Sequence, residues 1–170
     1  MMELILTRIF SVKLYYHYAF MVISLALLGS GASGIYVYLF PGIFRRERLH
    51  WQLFLFSELF AASIPLIVWL TVELDFGLEF DARSIGRVFL LYSLPAIPFF
   101  LAGICISLAM FHLASHISRL YFFDLGGAAL GCLLVLPLLG WLGGPNALLA
   151  VSILAILASW LLAGNVFPKR

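Results

Sequence analysis

The sequence predicts an all-α fold, a polytopic bundle of transmembrane helices with five full spans and a short apolar segment ahead of them. Three observations carry that reading. The 170 residues are 64% hydrophobic and 11% charged, with a mean hydropathy of +1.11, whereas a soluble domain carries about 25% charged residues. The charges sit between long uncharged stretches: residues 14–44, 88–118 and 125–168 contain no Asp, Glu, Lys or Arg. Those stretches do not alternate apolar with polar, as barrel strands do, so the backbone can satisfy its own hydrogen bonds in hydrocarbon only as helix. This composition excludes a soluble enzyme and a disordered chain. A net charge of +2 is too small to indicate a nucleic-acid partner.

The whole chain, 1–170, reads as one membrane domain. Residues 1–12 are apolar but hold Glu3 and Arg8. Twelve helical residues reach about 18 Å, short of a roughly 30 Å hydrocarbon core. The segment lacks the leading basic region of a signal peptide. It reads either as a half-helix packed on the bundle or as the remnant of a longer span. Full spans need about 20 residues and are expected at 16–39, 51–72, 88–115, 120–142 and 146–166. The last two share one uncharged stretch, divided by the turn-forming run Gly140-Trp141-Leu142-Gly143-Gly144-Pro145-Asn146. Pro65, Pro95, Pro98 and Pro137 fall inside spans, where each removes a backbone donor and should kink or break the helix. Cys105 and Cys132 lie in apolar runs and read as packing residues.

Loop charges set an orientation. Arg45, Arg46 and Arg48 face one Glu47 after the first span. Glu73, Asp75, Glu79 and Asp81 outnumber Arg83 and Arg87 after the second. Arg119 and His116 mark the next junction, and Lys169-Arg170 end the chain. Basic ends therefore alternate with acidic or neutral ones. The Arg45–Arg48 loop, the Arg119 junction and the C-terminus are expected in the cytoplasm, at a bacterial-type inner membrane. Tyr15, Tyr16, Tyr18, Trp51 and Trp141 fall near the expected interfaces.

Several polar residues stand out within the apolar runs. Gly29-Ser30-Gly31-Ala32-Ser33-Gly34 matches GxGxxG, but too short and apolar a run follows for a dinucleotide-binding unit. Gly29 with Ser33, and Ser30 with Gly34, instead give a smooth strip for close helix packing, and Gly127 and Gly131 form a second strip of the GxxxG kind. Asp124 lies near Arg119 and Tyr121. A carboxylate costs about 2.5–3.5 kcal/mol at the centre of a spanning helix and less near an interface. Two readings stay open: a substrate or proton site, or a polar clamp satisfied by Arg119, Tyr121, His116 or another helix. Glu58 shares a helix face with Ala62 and Pro65 and lies at a depth similar to that of Asp124, so the two acids are candidates for one cation-attracting site. His112, His116 and Arg119 are spaced four and three apart, one face of a continuous helix. A pair of His could ligate a metal or haem, though no HExxH or CxxC accompanies them. The other reading of that face, and of His17, is hydrogen bonding at the interface.

The polar residues inside these helices resemble a known family. Glu3 to Ser11, Tyr16-His17-Tyr18-Ala19-Phe20 and the run from Ile23 to Gly34 look like the opening of the membrane-embedded spermidine synthase-like proteins. Arg119 to Gly131 and Leu142-Gly143-Gly144-Pro145-Asn146-Ala147 are similar to their later helices. The resemblance covers most of the chain and is weakest from about Phe44 to Ile97. It implies a helix bundle followed by a soluble, aminopropyltransferase-like domain that binds an S-adenosyl nucleotide. No glycine-rich nucleotide loop accompanies these spans, so the match is to the membrane half, and enzyme activity and a cofactor are not expected of these residues.

Three functions are compatible with this reading. The first is a membrane anchor or scaffold for a soluble catalytic partner or a larger membrane complex. The second is a small, oligomeric cation or polyamine transporter that uses Glu58 and Asp124. The third is a haem-binding redox subunit that uses His112 and His116. The expected surroundings are the lipid bilayer and other membrane helices.

Overall fold

The computed structural model describes residues 1–13, 16–73 and 93–166. The acidic loop from Asp75 to Arg87, the start of the third expected span and the C-terminal Lys169-Arg170 lie outside the described residues, as does the side chain of His17. The described residues form five helices and two short 3-10 turns, without a strand among them: α1 (Met2–Lys13), α2 (Tyr16–Leu39), α3 (Leu49–Glu73), α4 (Ala96–His112) and α5 (Ile117–Val166).

Three of these elements are long and apolar enough to cross a membrane, within Phe20–Leu39, Arg46–Leu70 and Ala114–Ala163. That is fewer than the five spans expected: the start of the third lies outside the described residues, and the fourth and fifth run together. The third expected span is described as the shorter α4, whose 17 residues reach about 26 Å. Pro95 stands at its N-cap position and Pro98 in its first turn, where a missing N–H removes no helical bond. Ser93 is helical, a turn follows at Leu94 and Pro95, and helix resumes at Ala96, so Pro95 sits at a local break while Pro98 lies within the first turn of α4. The fourth and fifth expected spans belong to one element, α5, whose 50 residues contain a non-helical Gly143 with φ 73° and ψ 170°. That backbone conformation is essentially restricted to glycine. Pro145 follows just inside the second helical stretch, and the Asn146 amide donates to the Leu142 carbonyl at 3.0 Å, covering an acceptor freed by the break.

The N-terminal segment, α1, packs on the bundle. Ile5, Leu6 and Phe10 of α1 are almost fully buried and pack with Val22, Ile64, Ile67, Val135, Ala147 and Leu148. Its last turns press on the break in α5: a Cβ on Gly144 would stand 2.6 Å from Ile9 Cγ1. A second cluster, of Val37, Phe44, Leu49, Ile104 and Leu108, closes the opposite end of α2, α3 and α4. Between the clusters α2 and α4 run side by side. A Cβ on Gly29 would stand 2.6 Å from the Ala96 carbonyl oxygen, and one on Gly103 would strike the Ser33 hydroxyl.

The outward faces are apolar too. Only 17–28% of each membrane-length window is buried within the chain, and Phe122, Phe123, Leu133, Leu136, Trp141, Trp160 and Leu161 are all more than two-thirds exposed. Contiguous apolar surface on this scale is not compatible with water and is consistent with a membrane protein.

Candidate functional site

The polar groups inside the helices fall into two classes. Most hydroxyls bond back into their own helix: Thr7 to the Glu3 carbonyl (2.8 Å), Ser24 to Phe20 (3.0 Å), Ser30 to Ala26 (2.8 Å) and Ser63 to Phe60 (2.6 Å). Such bonds satisfy a hydroxyl where no water can.

Among the described residues other hydroxyls cross between helices: Ser57 of α3 lies 3.7 Å from Cys105 Sγ of α4, and two serines of α5 reach α3. Ser152 and Ser159 are buried on α5, seven residues apart and therefore on one face. The Ser152 hydroxyl donates to the Ala61 carbonyl of α3 at 2.7 Å. The Ser159 hydroxyl donates to the Glu58 carboxylate of the same helix. The sequence reading did not single out either serine. The signal available was their spacing of seven, together with Pro65, which orphans the carbonyl four residues before it.

Glu58 is thus half-buried at the α3–α5 seam and held by Ser159. The two residues that share its face in the sequence do not pack with it. Ala62 and Pro65 are exposed, and the packed face of α3 runs through Ala61, Ile64 and Ile67. Apolar bulk chose the inward face, over the small residues.

Asp124 is exposed on the first stretch of α5, as are Arg119 and Tyr121. Among the described residues, no hydrogen bond or ion pair joins Asp124 to Arg119, Tyr121, His116 or Glu58. The strip below Asp124 is only half used. A Cβ on Gly131 would meet Met1 Cβ at 3.2 Å, whereas Gly127 has open space. The strip on α2 faces α4: Gly29 and Ser33 are buried there, Ser30 lies 3.0 Å from the Cβ position of Gly103, and Gly34 approaches Ser107.

His112 and His116 do not share a helix face. α4 ends at His112, Leu113 leaves helical geometry (φ −108°, ψ 30°), and a 3-10 turn over Ala114–His116 intervenes before α5. His112 Nε2 bonds the Phe44 carbonyl at 3.1 Å, while His116 Nδ1 lies 3.0 Å from the Ser115 hydroxyl. Among the described residues, no three His, Cys, Asp or Glu side chains converge as a metal-holding group.

Family models, curated proteins and solved structures were all compared with the chain, and none matches it.

Proposed function

We propose that this chain is an integral membrane scaffold: a five-pass helix bundle of the spermidine synthase-like class that anchors a soluble catalytic partner or joins a larger membrane complex. One observation carries the reading. Glu58, half-buried within α3, is engaged by Ser159 across the α3–α5 seam, a use that ties helices together. The polyamine-transporter alternative asks Glu58 and Asp124 to serve one path, and among the described residues they share no contact. The haem alternative asks His112 and His116 to act together, and the turn between them does not favour that.

In this proposal the two stretches of α5 on either side of Gly143 are separate passes. Each exceeds the roughly 20-residue span length, whereas 50 unbroken residues would reach about 75 Å. α4 is the remaining pass, at the short end of the usual range. Arg45, Arg46, Arg48 and Arg119 lie on the cytoplasmic side, as the positive-inside rule directs.

The test has three readouts. The chain should resist alkaline carbonate extraction, and a cysteine at position 46 should react with an impermeant maleimide only in inverted vesicles. Proteoliposomes containing the chain should take up labelled spermidine no faster than empty vesicles. Uptake abolished by Glu58→Gln would replace the scaffold with the transporter.

A further inference from the structure

The segment between α2 and α3 is pinned at several points. Phe44 is 2% exposed, sits edge-on to Tyr36 with ring centroids 5.7 Å apart, and packs on Phe56 at 6.1 Å. The two carbonyls preceding Arg45 are both held by helix side chains. Gln52 Nε2 of α3 donates to the Ile43 carbonyl at 2.8 Å, and His112 Nε2 of α4 bonds the Phe44 carbonyl at 3.1 Å. Beyond them Arg45 is extended and Arg46–Arg48 form a 3-10 turn that runs straight into α3, where Leu49 is buried. Arg45 is further steadied by its Nε bond to the Gly42 carbonyl at 3.3 Å.

This backbone carries Arg45, Arg46 and Arg48 outward, all exposed, with Glu47 as the one acid among them. The His112 bond also fixes the end of α4 beside the loop, so His116 and Arg119, both exposed, follow at the same end of the bundle. Among the described residues no ion pair neutralises these arginines. Trp51, half-exposed one turn into α3, marks the level of the headgroups.

We propose that this basic rim binds the phosphodiester headgroup of an anionic phospholipid. Guanidinium groups recognise phosphate oxygens in a bidentate manner. A platform whose backbone is already fixed loses little freedom on binding. The height of the rim beside Trp51 selects a lipid over a soluble anion. The inference rests on the membrane half of the proposed function and not on the scaffold role. A chain stripped from membranes by alkaline carbonate fails that reading before any lipid is added.

The test is a titration of the full chain in non-ionic detergent with fluorescent phosphatidylglycerol, with phosphatidylcholine and inorganic phosphate as separate arms. Saturable binding is expected for phosphatidylglycerol alone. The combined Arg45→Gln, Arg46→Gln and Arg48→Gln variant should weaken it by roughly 100-fold, on the basis of about one such contact energy per arginine. Its lipid-free melting temperature should change little, because the three side chains are exposed and the one bond lost, from Arg45 to the Gly42 carbonyl, is exposed too. Gln52→Ala, which frees the loop and keeps every charge, should weaken binding by several-fold. Equal binding of phosphatidylcholine, or undiminished binding by the triple variant, overturns the proposal. Competition by millimolar inorganic phosphate overturns the lipid assignment.

Discussion

The Ser152 hydroxyl donates to the carbonyl of Ala61, the acceptor that Pro65 leaves without its helical N–H. Proline at position i removes the bond to residue i−4, and in hydrocarbon an orphaned carbonyl has no water to turn to. α5 supplies the missing donor, so a defect in one helix becomes a joint between two. Ser159, two turns further along the same face, repeats the arrangement with Glu58.

This pairing predicts a specific non-additivity. Ser152→Ala should destabilise the folded chain by about 1 kcal/mol, within the range of buried unsatisfied acceptors and membrane hydrogen bonds. In a Pro65→Ala background the Ala61 carbonyl regains its own helical donor, and the same serine change should cost close to nothing. SDS titration of the four variants in mixed micelles measures the coupling. Equal costs in both backgrounds would detach Ser152 from the proline.

Ser159→Ala should cost about 1–2 kcal/mol, since the bond it removes engages an ionisable acceptor. Glu58→Gln keeps an acceptor oxygen opposite Ser159 and should cost less than Glu58→Leu. Thermal unfolding in detergent ranks the three. Glu58→Leu proving the most stable would mean that packing alone, without the hydrogen bond, fastens the seam.

α2 and α4 touch through absent side chains. Because a Cβ on Gly103 would strike the Ser33 hydroxyl, Gly103→Ala should cost about 1–3 kcal/mol, the usual range for overpacking. Ser33→Gly in the same chain should recover much of that loss. Gly31, which has open space around its Cβ position, is the matched control, and Gly31→Ala should be close to neutral. The comparison is read by melting temperature in one detergent.

The sequence was legible where a physical rule acts along the chain. Uncharged gaps located the helices, and the run through Gly143, Gly144, Pro145 and Asn146 located the break in α5, because φ 73° at residue 143 requires glycine. It was less legible where the rule acts between helices. The matching depths of Glu58 and Asp124 suggested a shared site, but depth does not fix rotation about the helix axis. Burial of Ile64 and Ile67 turned Glu58 toward Ser159. The His112–His116 spacing assumed a continuous helix, and the chain leaves helical geometry at Leu113. Ser152 was hidden among apolar neighbours because its role depends on a proline far away in sequence.

Gly143 itself offers a sharp test. Any L-residue there must adopt φ 73° and ψ 170°, a region that costs of order 1–3 kcal/mol to occupy. Gly143→Ala should destabilise the fold by that amount, although nothing lies within 4 Å of its Cβ position. A neutral result would mean that the two stretches of α5 meet in some other geometry.

Asp124→Asn distinguishes the two roles that the sequence left open. A clamp would tie the carboxylate to Arg119, Tyr121 or another helix, and its loss would cost several kcal/mol, as removal of one partner of a buried pair does. The exposed setting of Asp124, with no hydrogen bond or ion pair among the described residues, gives the opposite expectation. The substitution should move stability by less than about 0.5 kcal/mol, like other surface changes. Gly131→Leu, one face-length below, should be clearly destabilising, because Met1 already fills the space beside it. Melting curves of both variants in the same detergent decide the point. A large loss from Asp124→Asn would restore the clamp, and a neutral Gly131→Leu would show that α1 does not seat on this helix.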